Sequence, residues 1–326
     1  MRRLPTVTDV ADAAGVSRQT VSNVLNTPDI VREETRERVR DAIRRLGYRP
    51  HASARRLRTR MSSTIGVRLD PGTDGMAGSL LDRFLHALVE HADAAGLRVL
   101  LYTAADEDAE IAAYERLLDG ADVDAFVLTS THYGDRRIPW LIEHDVRFVT
   151  FGRPWGERDT TDRSHRWVDV DGREGVRAAT RAVLERGLRR VAFLGWPEGS
   201  GTGDDRRAGW RSAMLEAGVP EADLAVLDLA VEEDPHDLAV GGRAVTALRP
   251  LPEAVVCASD SLALGARLAL GPEVPVIGYD DTPVSRALGF ASVAQPLDGV
   301  AAAVLELLRS DEGAHHRLLV PHLVER

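Results

Sequence analysis

Apolar residues first fall in a helical rhythm. Val21, Val24 and Leu25 recur at the spacing of one helix face, and Val39, Ile43 and Leu46 do so again over about Glu33–Leu46. Thr8 is placed to cap a first helix ending at Ala14, and Ser17 to cap a second. Gly15 and Gly47 suit the left-handed backbone of a tight turn and a helix stop. From about Ser62 the rhythm changes. The β-rich runs TIGVRL (64–69), RVLLY (98–102), AFVLT (125–129), RFVTF (147–151), WVDV (167–170), RVAFL (190–194), AVVCA (254–258) and VPVIGY (274–279) alternate with helical patterns. Leu81, Phe84, Leu85 and Leu88 mark one such helix face, an acidic helix is expected near Asp108–Leu118, and Val176, Ala179, Val183 and Leu184 mark another. This alternation predicts parallel, doubly wound sheets. The strands are too many for one sheet, so two similar subdomains are expected, with ligands at the carboxyl ends of their strands.

Charge separates the two regions further. Residues 1–60 carry a balance of +7 and the remainder −17, within a net charge of −10. A basic head on an acidic body points to a polyanionic partner for the head, or to a solvated basic face. All 41 basic residues are arginine, so the lysine of a Walker A loop is missing and a P-loop nucleotidase is excluded. Cys257 is the single cysteine, which rules out an intrachain disulfide or a thiolate metal cluster. No run approaches a membrane-spanning length, and MRRLPTVTDV lacks the apolar region of a secretory signal. A cytoplasmic address without membrane association is expected. G-x-S-x-G, H-E-x-x-H and C-x-x-C are all absent, and GSGTG does not fit the dinucleotide fingerprint, so neither enzymatic activity nor a cofactor or metal is expected. His315-His316 reads as a solvated loop.

The second helix offers Arg18, Gln19, Thr20, Ser22 and Asn23 opposite its apolar face. Arginine, glutamine and asparagine are the side chains that bond base edges bidentately in the major groove. After it, the connector YRPHASARRLR (48–58) is short, basic and helix-competent, with Pro50 suited to a first helical position. Leu57 among its arginines is either a minor-groove wedge or a residue packed on the core.

VTDVADAAGVSRQTVSNVLN and YRPHASARRLR resemble the head and hinge of the lactose-repressor (LacI/GalR) family, and the likeness extends through nearly the whole chain. It implies an all-α helix-turn-helix head (1–48), a hinge helix (49–61) and an α/β core (62–326) of periplasmic-binding-protein type. The core would comprise two doubly wound parallel-sheet subdomains, at about 62–165 plus 296–316 and about 166–295 plus 317–326. It also implies a homodimer on double-stranded, pseudo-palindromic operator DNA. By motif position Arg18, Gln19 and Asn23 would read bases. Ser17, Thr20, Ser22 and Asn26 would lie near phosphates, and Thr8, Ala54, Arg55, Leu57 and Arg58 would also contact DNA. His51 departs from the family's usual asparagine, and Arg32 stands where serine is common.

The core resemblance implies a small-molecule effector, on analogy a carbohydrate. The loop 195–210 resembles the family's glycine-rich loop ending in R-x-x-G-[WF], which makes Arg206 a ligand-gripping arginine; a surface ion pair with Asp204 or Asp205 is the alternative. VPVIGYDD places Asp280 at the carboxyl end of a central strand, where an acid can bond sugar hydroxyls. Asp260 in CASDSLALGA is expected to cap a helix, with Ser259 or Asp260 facing the cleft. Asp171 and Gln295 fall at subdomain crossovers, and Arg153 and Trp196 complete the candidates, Trp196 serving as a stacking surface or as core. The loop 71–79 departs from the family pattern, so ligand identity does not follow by analogy. The chain ends without a heptad extension, which favours a dimer. Three classes follow: an effector-responsive repressor, an exported binding protein, and a DNA-binding protein whose core serves only dimerisation.

Overall fold

The computed structural model describes residues 5–48, 62–69, 76–156, 163–231, 238–310 and 315–326. The chain forms two units, Met1–Ser62 and Ser63–Arg326.

In the first unit, helices α1 (Val7–Ala14), α2 (Arg18–Asn26) and α3 (Glu33–Leu46) enclose Val10, Ala11, Val21, Val24, Val39 and Ala42. Thr6, not Thr8, caps α1. The Thr6 hydroxyl accepts from the Asp9 amide at 3.3 Å, and the Asp9 carboxylate accepts from the Thr6 amide at 2.7 Å. This reciprocal box needs an acid three residues on, which Thr6 has and Thr8 lacks. Thr8 is exposed in the first turn. Ser17 caps α2 as expected, accepting from the Thr20 amide at 3.0 Å, and Gly15 and Gly47 both take φ 64. Leu25 is 37% exposed rather than inward, because Val21 and Val24 already fill the face that so small a unit can cover.

Arg32 stands at the N-cap of α3 without a side-chain cap bond. Serine there would satisfy an orphan amide. Arg32→Ser is expected to stabilise α3 by about 1 kcal/mol. Amide exchange in its first turn, followed in the full-length protein, should slow accordingly; unchanged exchange would refute the assignment.

The second unit contains two six-stranded sheets. The first has strands β1 (Thr64–Leu69), β2 (Arg98–Thr103), β3 (Ala125–Leu128), β4 (Arg147–Phe151), β5 (Trp167–Val170) and β11 (His316–Leu319), all parallel, in the order β11-β5-β4-β3-β1-β2. The second has β6 (Val191–Gly195), β7 (Asp228–Ala230), β8 (Ala254–Cys257), β9 (Val276–Tyr279), β10 (Ala291–Ala294) and β12 (His322–Val324), in the order β12-β10-β9-β8-β6-β7. It is parallel except for β12, which runs antiparallel to β10. The helices of this unit are α4 (Met76–Ala94), α5 (Glu107–Asp119), α6 (Arg137–Glu143), α7 (Gly172–Glu185), α8 (Thr202–Glu216), α9 (Glu221–Leu227), α10 (Leu238–Ala247), α11 (Asp260–Leu270), α12 (Pro283–Leu288) and α13 (Leu297–Arg309).

The two sheets redraw the expected subdomain boundaries. β5 pairs with β4 and β11, so the first crossing follows Val170 rather than residue 165. All of β11 belongs to the first sheet, so the last crossing lies between Leu319 and His322, not after 316. His316 opens β11 with its ring stacked on Trp167, 4.7 Å between centroids, instead of lying in a solvated loop. The chain therefore crosses three times. The first and last crossings lie side by side, with the Asp171 amide donating to the Leu319 carbonyl at 2.8 Å. The middle one follows β10, which pairs with β12.

The motif Arg206-x-x-Gly209-Trp210 has a packing logic. α8 lies against α7 so closely that a Cβ on Gly209 would sit 2.1 Å from the Arg173 carbonyl oxygen. Trp210 is fully buried, its indole N–H donating to the Val191 carbonyl at 3.1 Å. Together they hold the first turns of α8, and with them Arg206, at the carboxyl end of the second sheet.

Candidate effector and nucleic-acid sites

On α2, Ser17, Arg18, Gln19 and Asn26 are exposed and Thr20, Ser22 and Asn23 half-buried. They lie opposite Val21 and Val24, which are buried in the head. Gln19 Nε2 donates to Asn23 Oδ1 at 3.0 Å, and Asn26 Nδ2 to the Ser22 carbonyl at 2.6 Å. The amides are thus aligned along one ridge, with Arg18 at its start. Ala54, Arg55, Leu57 and Arg58, together with His51, lie outside the described residues.

In the core, the candidates gather at the carboxyl ends of strands. Arg206 is 6% exposed. Its Nη1 donates to the Ala258 carbonyl at 2.6 Å, its guanidinium lies 3.7 Å from the Tyr279 ring centroid, and Nη2 stands 4.0 Å from Asp280 Oδ1. The alternative pairing with Asp204 or Asp205 is not what forms: Asp204 bonds Arg207 and Asp205 bonds Arg153. Asp280 follows β9 with φ 105 and accepts from Gln295 Nε2 at 2.7 Å. Burial pushes its carboxyl up to about 6, partly opposed by Arg206. Tyr279 is fully buried, and its hydroxyl has no partner among the described residues.

The remaining candidates divide. Arg153 Nε donates to Asp169 at 2.6 Å and Nη2 to Asp205 at 3.3 Å, which ties the end of β4 to α8. Trp196, half-buried after β6, lies 5.6 Å from the Arg206 guanidinium. Asp171 caps α7, accepting from the Glu174 amide at 2.9 Å. Asp260 is not the cap of α11; Ser259 is. Asp260 is 1% exposed and accepts from the Thr282 amide and hydroxyl at 2.7 Å each and from Ser292 at 2.6 Å. Burial raises its carboxyl, and these donors pull it back. Its partners are distant in sequence, so a hub binding β10 to the turn after β9 was invisible as a local pattern.

Sequence reasoning missed Arg83, Asp169 and Trp155, and considered Asp205 only as a partner of Arg206 rather than of Arg153. Arg83 on α4 donates to the carbonyls of Asp280 and Asp281 at 3.1 and 3.2 Å, joining the subdomains. Trp155 bonds Thr131 and packs on Gly201, where a Cβ would meet the indole at 2.6 Å. The glycines flanking Thr202 were the available signal, since Gly203 is likewise closed, by Ser200 Oγ first and then by Trp196 at 3.0 Å. Beside this cleft a cavity of about 440 Å³ is lined by Pro139, Ile142, Pro154, Trp155 and His165, without Arg206, Asp280 or Gln295. Among the described residues Glu107, His132 and Asp135 bring possible metal ligands within 4.8 Å of one another. Arg136 holds Glu107 at 3.0 Å and Arg137 holds Asp135 at 2.7 Å, so the trio is an ion-pair cluster.

Comparison with known proteins gives this arrangement a family. Residues 6–51 match the model of bacterial regulatory proteins, lacI family, and residues 180–326 that of a periplasmic binding protein-like domain. The HTH-type transcriptional regulator CelR of Thermobifida fusca is 34% identical over 325 residues, covering 94% of this chain and 92% of that protein. The chain belongs to the lacI family. Within it, the HTH-type transcriptional repressor PurR of Erwinia tasmaniensis is 30% identical, covering 94% of this chain and 89% of that protein. A CelR–cellobiose complex superposes on this lacI-family chain with TM-score 0.71 at 29% identity, each chain covered to 99%. The lac repressor dimer bound to operator and the anti-inducer ONPF matches in fold, with TM-score 0.83 at 23% identity over 99% of this chain and 98% of that one. The chain is thus a lacI-family transcriptional regulator, with a helix-turn-helix head and a two-sheet core.

Proposed function

We propose that this regulator is a cytoplasmic, homodimeric repressor that binds a pseudo-palindromic operator and is controlled by a carbohydrate held between its two core subdomains. The observation that carries the effector half is the Arg206–Asp280 pair, a donor and an acceptor 4.0 Å apart beside Trp196 and braced by Gln295. A sugar hydroxyl both donates and accepts, and an indole face suits the apolar side of a pyranose ring. The cellobiose complex of CelR supports the same class. Arg153, Asp171 and Asp260 serve this site by positioning its walls. No described helix is long and apolar enough to cross a membrane.

On DNA, Arg18, Gln19 and Asn23 read base edges, while Thr8, Ser17, Thr20, Ser22 and Asn26 sit against the backbone. Ala54, Arg55, Leu57 and Arg58 enter the minor groove at the operator centre. Ligand binding changes the angle between paired cores and so permits or melts the hinge segments, too short to hold as helices alone. A coupling of about 1–3 kcal/mol suffices.

Selection from random duplex DNA with full-length protein, with and without a panel of sugars, tests this reading. A pseudo-palindrome whose enrichment changes with one sugar is expected; no enrichment in any condition would refute it. On the selected site Arg18→Ala is expected to cost about 1–3 kcal/mol and to relax preference at one base pair. Equal weakening on all sequences would place Arg18 on phosphate instead.

A further inference from the structure

We propose that the cleft selects a ligand without net negative charge, a neutral polyhydroxyl compound, and rejects phosphorylated or carboxylated sugars. This rests on the reading of the cleft as an effector site. Four carboxylates, Asp169, Asp171, Asp205 and Asp280, stand at or beside the crossing strands, against the guanidiniums of Arg153, Arg206 and Arg83. Two of these guanidiniums are committed, while Arg206 keeps Nε without a partner among the described residues and Nη2 4.0 Å from Asp280. Arg153 is spent on Asp169, Asp205 and the Val170 carbonyl. Arg206 holds the Ala258 carbonyl and stacks on Tyr279, and Arg83 holds two carbonyls. Asp281 does not alter the balance, since Arg286 and Arg326 pair with it.

The second argument concerns the backbone. A phosphate is ordinarily gripped by the free amides of a helix N-terminus. Here the chain's own side chains occupy such amides at three described helices that begin at the carboxyl ends of strands, α7, α8 and α11. At α7 the Arg173 amide donates to Asp205 at 3.0 Å and the Glu174 amide to Asp171 at 2.9 Å. Before α8 the Gly199 and Gly201 amides donate to Asp204 at 3.0 and 3.3 Å, and the Gly203 amide to Ser200 at 2.9 Å. At α11 the Leu262 amide donates to Ser259 at 3.3 Å. An entering phosphate would meet carboxylates where an anion site presents N–H groups. A hydroxyl meets no such conflict, because it donates to the carboxylates and accepts from Arg206 Nη2.

The test uses a protein-free extract of the cells that carry the gene, divided on a strong anion exchanger into a flow-through and a volatile-salt eluate. Each fraction is added to full-length protein and to Arg206→Met, and the thermal unfolding midpoint is read. Asp280→Asn, close to isosteric, replaces Arg206→Met if that variant does not fold. The expected result is a rise with the flow-through alone, lost in the variant. A variant-sensitive rise with the eluate overturns the charge selection and leaves the effector site standing; no rise with either fraction overturns the effector site itself. In parallel, orthophosphate is expected to leave the wild type unchanged and to stabilise Asp205→Ala, which removes a carboxylate and releases the Arg173 amide and one N–H of Arg153. No gain there would overturn the assignment of anion rejection to the chain's own carboxylates.

Discussion

Arg137→Met is expected to destabilise the core by about 3–5 kcal/mol, the cost of breaking a buried ion pair from one side. Arg137 is 2% exposed at the start of α6. Its Nη1 donates to Glu110 at 3.1 Å, its Nε and Nη2 to Asp135 at 2.9 and 2.7 Å, and Nη2 also to the Thr129 carbonyl at 3.1 Å. Glu110 is fully buried and accepts in addition from Tyr114 at 2.7 Å, Tyr102 at 3.3 Å and Arg68 at 3.0 Å. Burial and the Glu110 charge push both tyrosine hydroxyls well above their ordinary range, so they remain donors at any working pH. With Arg137 gone, Glu110 keeps one cation and the carbonyls after β3 lose their anchor. Since a domain's whole stability is about 5–15 kcal/mol, the loss is a large share of it. Urea unfolding measures it, and a loss under about 1 kcal/mol would sink the argument. Glu110→Gln in the same chain should recover only part of the deficit, because it removes one of the two carboxylates that Arg137 paired and leaves Asp135, whose side chain is 6% exposed, without its two bonds from Arg137. The damage should also reach the cleft, since the anchored loop leads into Thr131, on which Trp155 is bonded.

Asp280→Asn is expected to stabilise the protein relative to wild type as pH rises from about 4 to 7, by about 3 kcal/mol, while abolishing the ligand response. The folded carboxyl titrates near 6 against an ordinary value of 3.8. Below 3.8 both folded and unfolded chains hold the proton. Between the two values the unfolded chain releases it first, so the folded state loses ground; above about 6 the full penalty applies. Wild-type stability therefore carries a term that falls as pH rises through that window, and asparagine lacks it. Titrating groups remote from Asp280 cancel in the comparison of the two proteins, and the neighbouring Asp260, whose charge acts on Asp280, adds to the difference. Parallel stability-against-pH curves would show that Asp280 is not held in this way. A ligand hydroxyl donating to Asp280 favours its ionised form, so affinity should rise with pH through about 6 in the wild type alone.

The legible parts of the chain were those with local rules. Ser17 and Gly47 announce helix ends, and the apolar runs of β1, β3, β4 and β8 announce buried parallel strands. Asp280 and Arg206 were found because each sits in a motif. The edge strands β7, β11 and β12 were not legible, since three or four residues such as His316–Leu319 carry too few inward positions to make a pattern. Asp260 was placed one residue out, as a cap, because its partners Thr282 and Ser292 come together only when β9 and β10 pair. Asp169 looked like one polar interruption in WVDV. Its function as the counter-charge to Arg153 depends on two adjacent strands ending at one height.

The three crossings between the sheets have a mechanical consequence. The Asp171 amide fastens the first to the Leu319 end of the last, and β12 beside β10 sets the last next to the second. Three ribbons lying edge to edge behave as a leaf flexure, compliant about the one axis that bends them all together and stiff against twist or shear. A ligand pulling on either wall can therefore do work along a single coordinate. On the proposed function, the signal leaving the cleft is then one angle rather than a diffuse loosening.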